Sequence, residues 1–204
     1  MARRESLRRR APSRKPLPRI LIVCEGTKTE PGYFDDLRRV YRRVVELELS
    51  PGGVPKTLVE RAVEMKSEAE HMAKAAKDEN LSYDEVWCVF DVDDHPKVDD
   101  AKQQARGNGI KLAVSNPCFE LWVLLHFQEQ TAHISRAKLR AVCRKHLPDY
   151  EKDLPIARLT PQYEYAASRA RKLDDWQQQQ GRKEANPSTG VYRLTEAIRG
   201  FDGD

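Results

Sequence analysis

Two short apolar runs, each free of charge and each closing on carboxylates, constrain this chain most. Ile20-Leu21-Ile22-Val23-Cys24 leads into Glu25, and Val86-Trp87-Cys88-Val89-Phe90 leads into Asp91-Val92-Asp93. Both runs are rich in β-branched or aromatic side chains, the composition of strands buried on both faces of a parallel sheet. In open α/β sheets, ligands bind in the crevice at the carboxyl ends of such strands. Three acids gathered there repel one another unless protons or a divalent cation neutralise them. Magnesium is the simplest occupant.

The intervening segments alternate helix and strand. The loop Glu25-Gly26-Thr27-Lys28-Thr29-Glu30-Pro31-Gly32 precedes a helix expected from about Tyr33 to Glu46, with Phe34, Leu37, Val40, Tyr41 and Val44 on one face. Glu46-Leu47-Glu48-Leu49-Ser50 alternates as an edge strand would, and Pro51-Gly52-Gly53 ends it. A long amphipathic helix is expected from Lys56 to about Asn80, and another from Val98 to Arg106 before a strand over Ile110–Val114. Asn116 then reads as the cap of a helix opened by Pro117 and running through Phe127. Beyond residue 130 only helices are expected, at about Ser135–His146, Pro161–Gln180 and Thr189–Arg199. The fold class is therefore α/β, a mostly parallel sheet flanked by helices with a helical C-terminal extension. We divide the chain into a basic arm (1–18), an α/β core (19–129) and the helical extension (130–204).

Charge is uneven. The net charge is +4, but residues 1–19 hold eight basic side chains against Glu5, a local balance of +7, which leaves −3 on the rest. Arg8, Arg9, Arg10, Arg14 and Lys15 lie in this stretch, which has three prolines and few apolar groups. It reads as a disordered arm suited to phosphate backbones, or as a merely solvated terminus. No apolar run approaches the roughly 20 residues that span a bilayer, and no secretory signal follows the basic start. A cytoplasmic protein without membrane attachment is expected. Cys24, Cys88, Cys118 and Cys143 are widely spaced with no CxxC pair, as buried free thiols would be.

Asp91 and Asp93 sit two apart, so an extended backbone directs both to one side. They suit Mg²⁺, which takes oxygen ligands and often holds substrate phosphates. Glu25 would move a proton to or from the attacking or leaving oxygen. Lys28 is close enough in sequence to bind the same phosphate, or is a solvated loop lysine; Glu30 reads equally as a helix N-terminal acid. Glu120 interrupts the apolar segment Cys118–Leu125, so it must be paired, protonated or bound to a cation. His126, six residues further on, does not share its helical face and reads more simply as a packing residue. His95 borders the acidic turn.

At these residues the chain resembles a known family. An apolar strand ending in Glu-Gly, followed by a strand ending in Asp-x-Asp, looks like the Toprim catalytic fold. The ordered set Cys24–Glu30 with Tyr33-Phe34, Phe90–Asp93, Ser115–Trp122 with Leu125-His126-Phe127, and Asn186-Pro187-Ser188-Thr189 resembles the RloB-like family. That resemblance implies a Toprim-like core in which Asp91, Asp93 and Glu25 hold Mg²⁺ or Mn²⁺. It also implies a role in bacterial antiphage defence, through abortive infection, beside an AAA/ABC-type ATPase. The expected function is a metal-dependent nuclease with catalytic Glu25, Asp91, Asp93, Glu120 and Lys28, acting on DNA or RNA. The alternative is a non-cleaving, Toprim-like module that binds nucleic acid or nucleotide and regulates the ATPase. A second copy of the chain is a further candidate partner, and the sequence leaves the oligomeric state open. The Asn186–Thr189 motif fits a turn and helix cap, with a second role near the site suggested by its place in the resemblance.

Overall fold

The computed structural model describes residues 17–50, 54–92, 98–148, 154–182 and 184–200. Asp93, His95 and the basic residues Arg8, Arg9, Arg10, Arg14 and Lys15 lie outside them.

Five strands form one sheet: β1 (Arg19–Cys24), β2 (Val44–Leu49), β3 (Glu85–Asp91), β4 (Lys111–Asn116) and β5 (Ser188–Thr189). The order is β2-β1-β3-β4-β5, with β1 paired in parallel to both β2 and β3, and β3 in parallel to β4. The helices are α1 (Thr29–Tyr41), α2 (Pro55–Ala76), α3 (Val98–Gly107), α4 (Glu120–Leu125), α5 (Arg136–His146), α6 (Ile156–Leu159), α7 (Tyr163–Gln179) and α8 (Val191–Arg199). None is long and apolar enough to cross a membrane.

Period-two alternation sends successive strand residues to opposite faces. Ile20, Ile22 and Cys24 of β1 join Trp87 and Val89 of β3 in a layer with Phe34 and Leu37 of α1 and apolar residues of α4, α5, α7 and α8. Leu21 and Val23 join Cys88 and Phe90 under Leu58, Val59 and Ala62 of α2 and Ala101 and Ala105 of α3. Both faces of β1 and β3 are thus covered, which is why their sequences are continuously apolar. The four cysteines are buried free thiols, as their spacing suggests.

The expected mostly parallel α/β architecture holds, with four local corrections. α1 starts and stops earlier than its apolar spacing predicts, because Arg42 turns left-handed (φ 51°) and Val44 onward is drawn into a six-residue ladder with β1. Val44 and Val40 consequently stand about half exposed instead of facing the helix core. α2 ends at Ala76, where Lys77 is left-handed and the Asp78 carboxylate accepts from Asn80 N, starting a short 3₁₀ turn. Asn116 is not a helix cap: it ends β4 by pairing with Ser188 of β5, and its side-chain amide donates to Glu184 O, so α4 begins only at Glu120. The segment beyond 130 is not purely helical, since Ser188-Thr189 adds an antiparallel strand beside Ser115-Asn116.

Phe34 is fully buried and meets Tyr33 and Phe119 edge-on, with ring centroids 5.3 and 6.2 Å away. Phe34→Ala is expected to cost about 3–5 kcal/mol of folding stability, measured as a lowered urea midpoint at unchanged slope.

Candidate metal and phosphate cleft

The strand order reverses between β1 and β3: β1 connects through α1 to β2 on one side, whereas β3 and β4 lie on the other. Glu25 N continues the ladder by donating to Val89 O at 3.1 Å. Glu25 and Asp91 therefore leave adjacent parallel strands at the switch point, where the crevice of such sheets opens. A cleft of about 350 Å³ lies there, lined by Glu25, Gly26, Thr27, Lys28, Thr29, Glu30, Asp91, Phe119, Glu120, Arg136 and Arg140.

Four of the lining side chains are carboxylates, Glu25, Glu30, Asp91 and Glu120, against three cations, Lys28, Arg136 and Arg140. The expected meeting of Glu25, Asp91, Glu120 and Lys28 is therefore realised, while Asp93 lies outside the described residues. Glu30 belongs to the first turn of α1, as an N-terminal acid should, and also faces the cleft. It folds over Gly26 so closely that a Cβ there would overlap the Glu30 carboxylate. Glycine at this position makes room for the carboxylate.

The acids differ in electrostatic state. Burial pushes the Asp91 carboxyl well above its ordinary value, and the neighbouring Glu30 adds to this; Arg136, bonded to Asp91 Oδ2 at 2.8 Å, only partly offsets it. Burial also raises Glu30, with Glu120 and Glu25 reinforcing the shift. Glu120 behaves oppositely. Burial pushes it up, but hydrogen bonds from the Cys118 thiol, its own backbone and Arg140 (2.8 Å) outweigh that and hold it below its ordinary value. Asp91 and Glu30 therefore release their protons less readily than ordinary carboxyls, whereas Glu120 is an anchored anion.

Asp91, Cys118 and Glu120 bring one potential ligand atom each to within 4.8 Å of one another. Burial and the adjacent Glu120 push the Cys118 thiol far up, so in the absence of a metal it is a hydrogen-bond donor to Glu120. The other donors are carboxylate oxygens, which suit hard divalent cations such as Mg²⁺ or Mn²⁺. Asp91 and Glu120, with Cys118 beside them, are the side chains whose ligand atoms lie close enough together to hold such a cation.

Arg136 and Arg140 carry no local sequence signal beyond lying in a basic segment from Arg136 to Lys145. Arg136 and Arg140 sit one turn apart at the start of α5, capped by Ser135 Oγ accepting from Lys138 N at 3.4 Å. The Asn186 amide explains how this helix start is held. Its Nδ2 donates to Ile134 O at 2.9 Å and its Oδ1 accepts from Ile134 N at 3.0 Å, a two-bond clasp just ahead of Arg136. Ser188 and Thr189 meanwhile pair with β4 beside Asp91, whose own partner in the ladder is Ser115. The Asn186–Thr189 motif thus braces the cleft from behind.

His126 takes no part. It is buried beside Trp122, with Nδ1 2.9 Å from Trp122 O, and burial pushes its ring down to about 4 despite hydrogen bonds to the backbone.

Asn186→Ala removes both bonds of the clasp and is expected to cost about 1–3 kcal/mol of stability, read by chemical denaturation. Asn186→Asp keeps the acceptor for Ile134 N alone and should lose less.

A family model described as RloB-like protein matches residues 20–198, from within β1 to within α8. No curated protein and no solved structure matches the chain. The match takes in every lining residue of the cleft and the Asn186–Thr189 brace, and the chain belongs to the RloB-like protein family.

Proposed function

We propose that the cleft is the centre of a Mg²⁺- or Mn²⁺-dependent nuclease with a Toprim-like core, an antiphage effector that works with an AAA/ABC-type ATPase. The observation that carries this reading is the convergence of Glu25, Glu30, Asp91 and Glu120 with Lys28, Arg136 and Arg140 at the β1/β3 switch point. Asp91 and Glu25, with Asp93 beyond the described residues, would hold the cation. A bound divalent ion supplies charge stabilisation to phosphodiester oxygens during displacement.

The chain's own groups supply the rest. Arg136 and Arg140 present planar guanidiniums from one helix face, the geometry that binds phosphate in a bidentate manner. Each now rests on a cleft carboxylate, so an arriving phosphodiester would exchange one anionic partner for another. Lys28, exposed on the loop, adds a point charge toward the same phosphate. Glu25 would move the proton of the attacking or leaving oxygen, and Glu30, which retains its proton more readily than an ordinary glutamate, is an acid on the same wall. The basic residues Arg8, Arg9, Arg10, Arg14 and Lys15 would hold the polymer outside the cleft in a salt-dependent way.

A non-cleaving regulatory role is the second reading, and the two ion pairs favour it. Arg140 pairs with Glu120, and Arg136 partly offsets the charge of Asp91, without any metal. A binding module for nucleic acid or nucleotide would need no more.

Product analysis separates the readings. Plasmid, single-stranded DNA and total tRNA would be incubated with the chain and Mg²⁺ or Mn²⁺, with and without the ATPase. Cleavage is expected in wild type and absent in Asp91→Asn, whose metal-free stability should equal or exceed that of wild type because burial and like charge disfavour the Asp91 anion. Binding without cutting under every condition would support the regulatory reading.

A further inference from the structure

β2 ends the sheet, and among the described residues no strand pairs with its outer edge. The ladder with β1 fixes which groups line that edge. Ser50 N donates to Cys24 O at 2.9 Å, so the even-numbered residues of β2 turn their amides toward β1. Val45, Leu47 and Leu49 consequently turn theirs outward. Arg38 of α1 corroborates the direction, because its guanidinium reaches the Val45 carbonyl at 3.0 Å.

We propose that this edge joins two copies of the chain as an antiparallel β2–β2 pair about a two-fold axis perpendicular to the sheet. Such an axis sets one residue opposite itself, and Leu47 is the central residue of the outward set. Centring there places Val45 opposite Leu49 of the second copy at both ends. Each of the three outward residues then exchanges both of its amide bonds with an outward residue. Centring on Val45 would instead oppose Leu47 to Arg43. The Val45 carbonyl has two lone pairs and can accept from the second copy while keeping Arg38.

The side chains match in the same register. Val45, Leu47 and Leu49 share the α1 face; Val45 is 4% exposed and Leu49 45%, so Leu49 gains an aliphatic neighbour in the Val45 of the second copy. On the other face Glu46 meets Glu48 of the second copy, yet both arrive neutralised. Glu46 is held by Arg19 at 2.9 Å and Tyr83 Oη at 2.8 Å, and Glu48 by Arg61 at 3.1 Å. Val40 and Val44, at 51% and 49% exposure, border the contact. Because the strands run in opposite directions, the two clefts open at opposite ends of the joined sheet, and each serves its own substrate.

Sedimentation of the full chain tests the contact without reference to cleavage, so failure of the nuclease reading leaves the result intact. Wild type is expected at twice the mass of one chain. Leu49→Lys, at an exposed position that does not line the cleft, should weaken association by about tenfold, since one substitution sets a charge opposite Val45 at both ends of the pair. Leu47→Cys should be cross-linked to its counterpart by a short bifunctional thiol reagent, because facing residues of a hydrogen-bonded pair have Cα atoms about 5.5 Å apart and point to the same face. A monomer at all concentrations would overturn the proposal. So would a dimer that Leu49→Lys leaves intact and Leu47→Cys does not cross-link, whether another surface or residues 1–16 then cover the edge.

Discussion

Electrostatic repulsion among buried carboxyl groups is the constraint around which this cleft is arranged. Glu25, Glu30, Asp91 and Glu120 line one crevice with one cation fewer than the number of acids. At an effective dielectric of about 20, two unit charges 4 Å apart interact by about 4 kcal/mol, so several ionised neighbours cannot stand unanswered. The answers differ by residue: Asp91 and Glu30 gain affinity for protons, while Glu120 is locked as an anion by Cys118 and Arg140. This separation of states within one small volume is what suits a cleft to exchange protons for a divalent cation.

The sheet places the acids there, and the C-terminal segment supplies their counter-charges. Parallel pairing of β1 with β3 sets Glu25 beside the end of the neighbouring strand, and helices on both faces bury those strands too deeply for them to shift. α5 brings Arg136 and Arg140, and Asn186 pins the chain ahead of it by clasping Ile134. The clasp that steadies the arginines and the β4–β5 pairing beside Asp91 come from the same short segment, Asn186 to Thr189.

Much of this was legible in the sequence because it depends on short-range pattern. Continuous apolar strands announce a sheet buried on both faces, and an acid following such a strand announces the crevice, so Glu25 and Asp91 could be placed without coordinates. Glu120 was legible by contradiction, as a charge within an apolar run. What stayed hidden depends on contacts distant in sequence. Arg136 and Arg140 lie in an ordinary basic helix until Ile134 is tied to Asn186, 52 residues later. The two-residue β5 is too short to show periodicity and exists only because β4 offers an edge. The end of α1 departs from its apolar spacing for a related reason: Val44 continues the helical pattern, but pairing with β1 overrides local propensity.

The most direct test of the cleft as a divalent-cation site is calorimetric titration of Mn²⁺ into the metal-free protein near neutral pH, repeated in buffers of different ionisation enthalpy. If Asp91 and Glu30 retain protons that a cation displaces, binding is expected with net proton release, and Asp91→Asn should diminish both the affinity and the protons released. Binding absent at millimolar Mn²⁺, or binding equally strong in Asp91→Asn with no proton release, would contradict it.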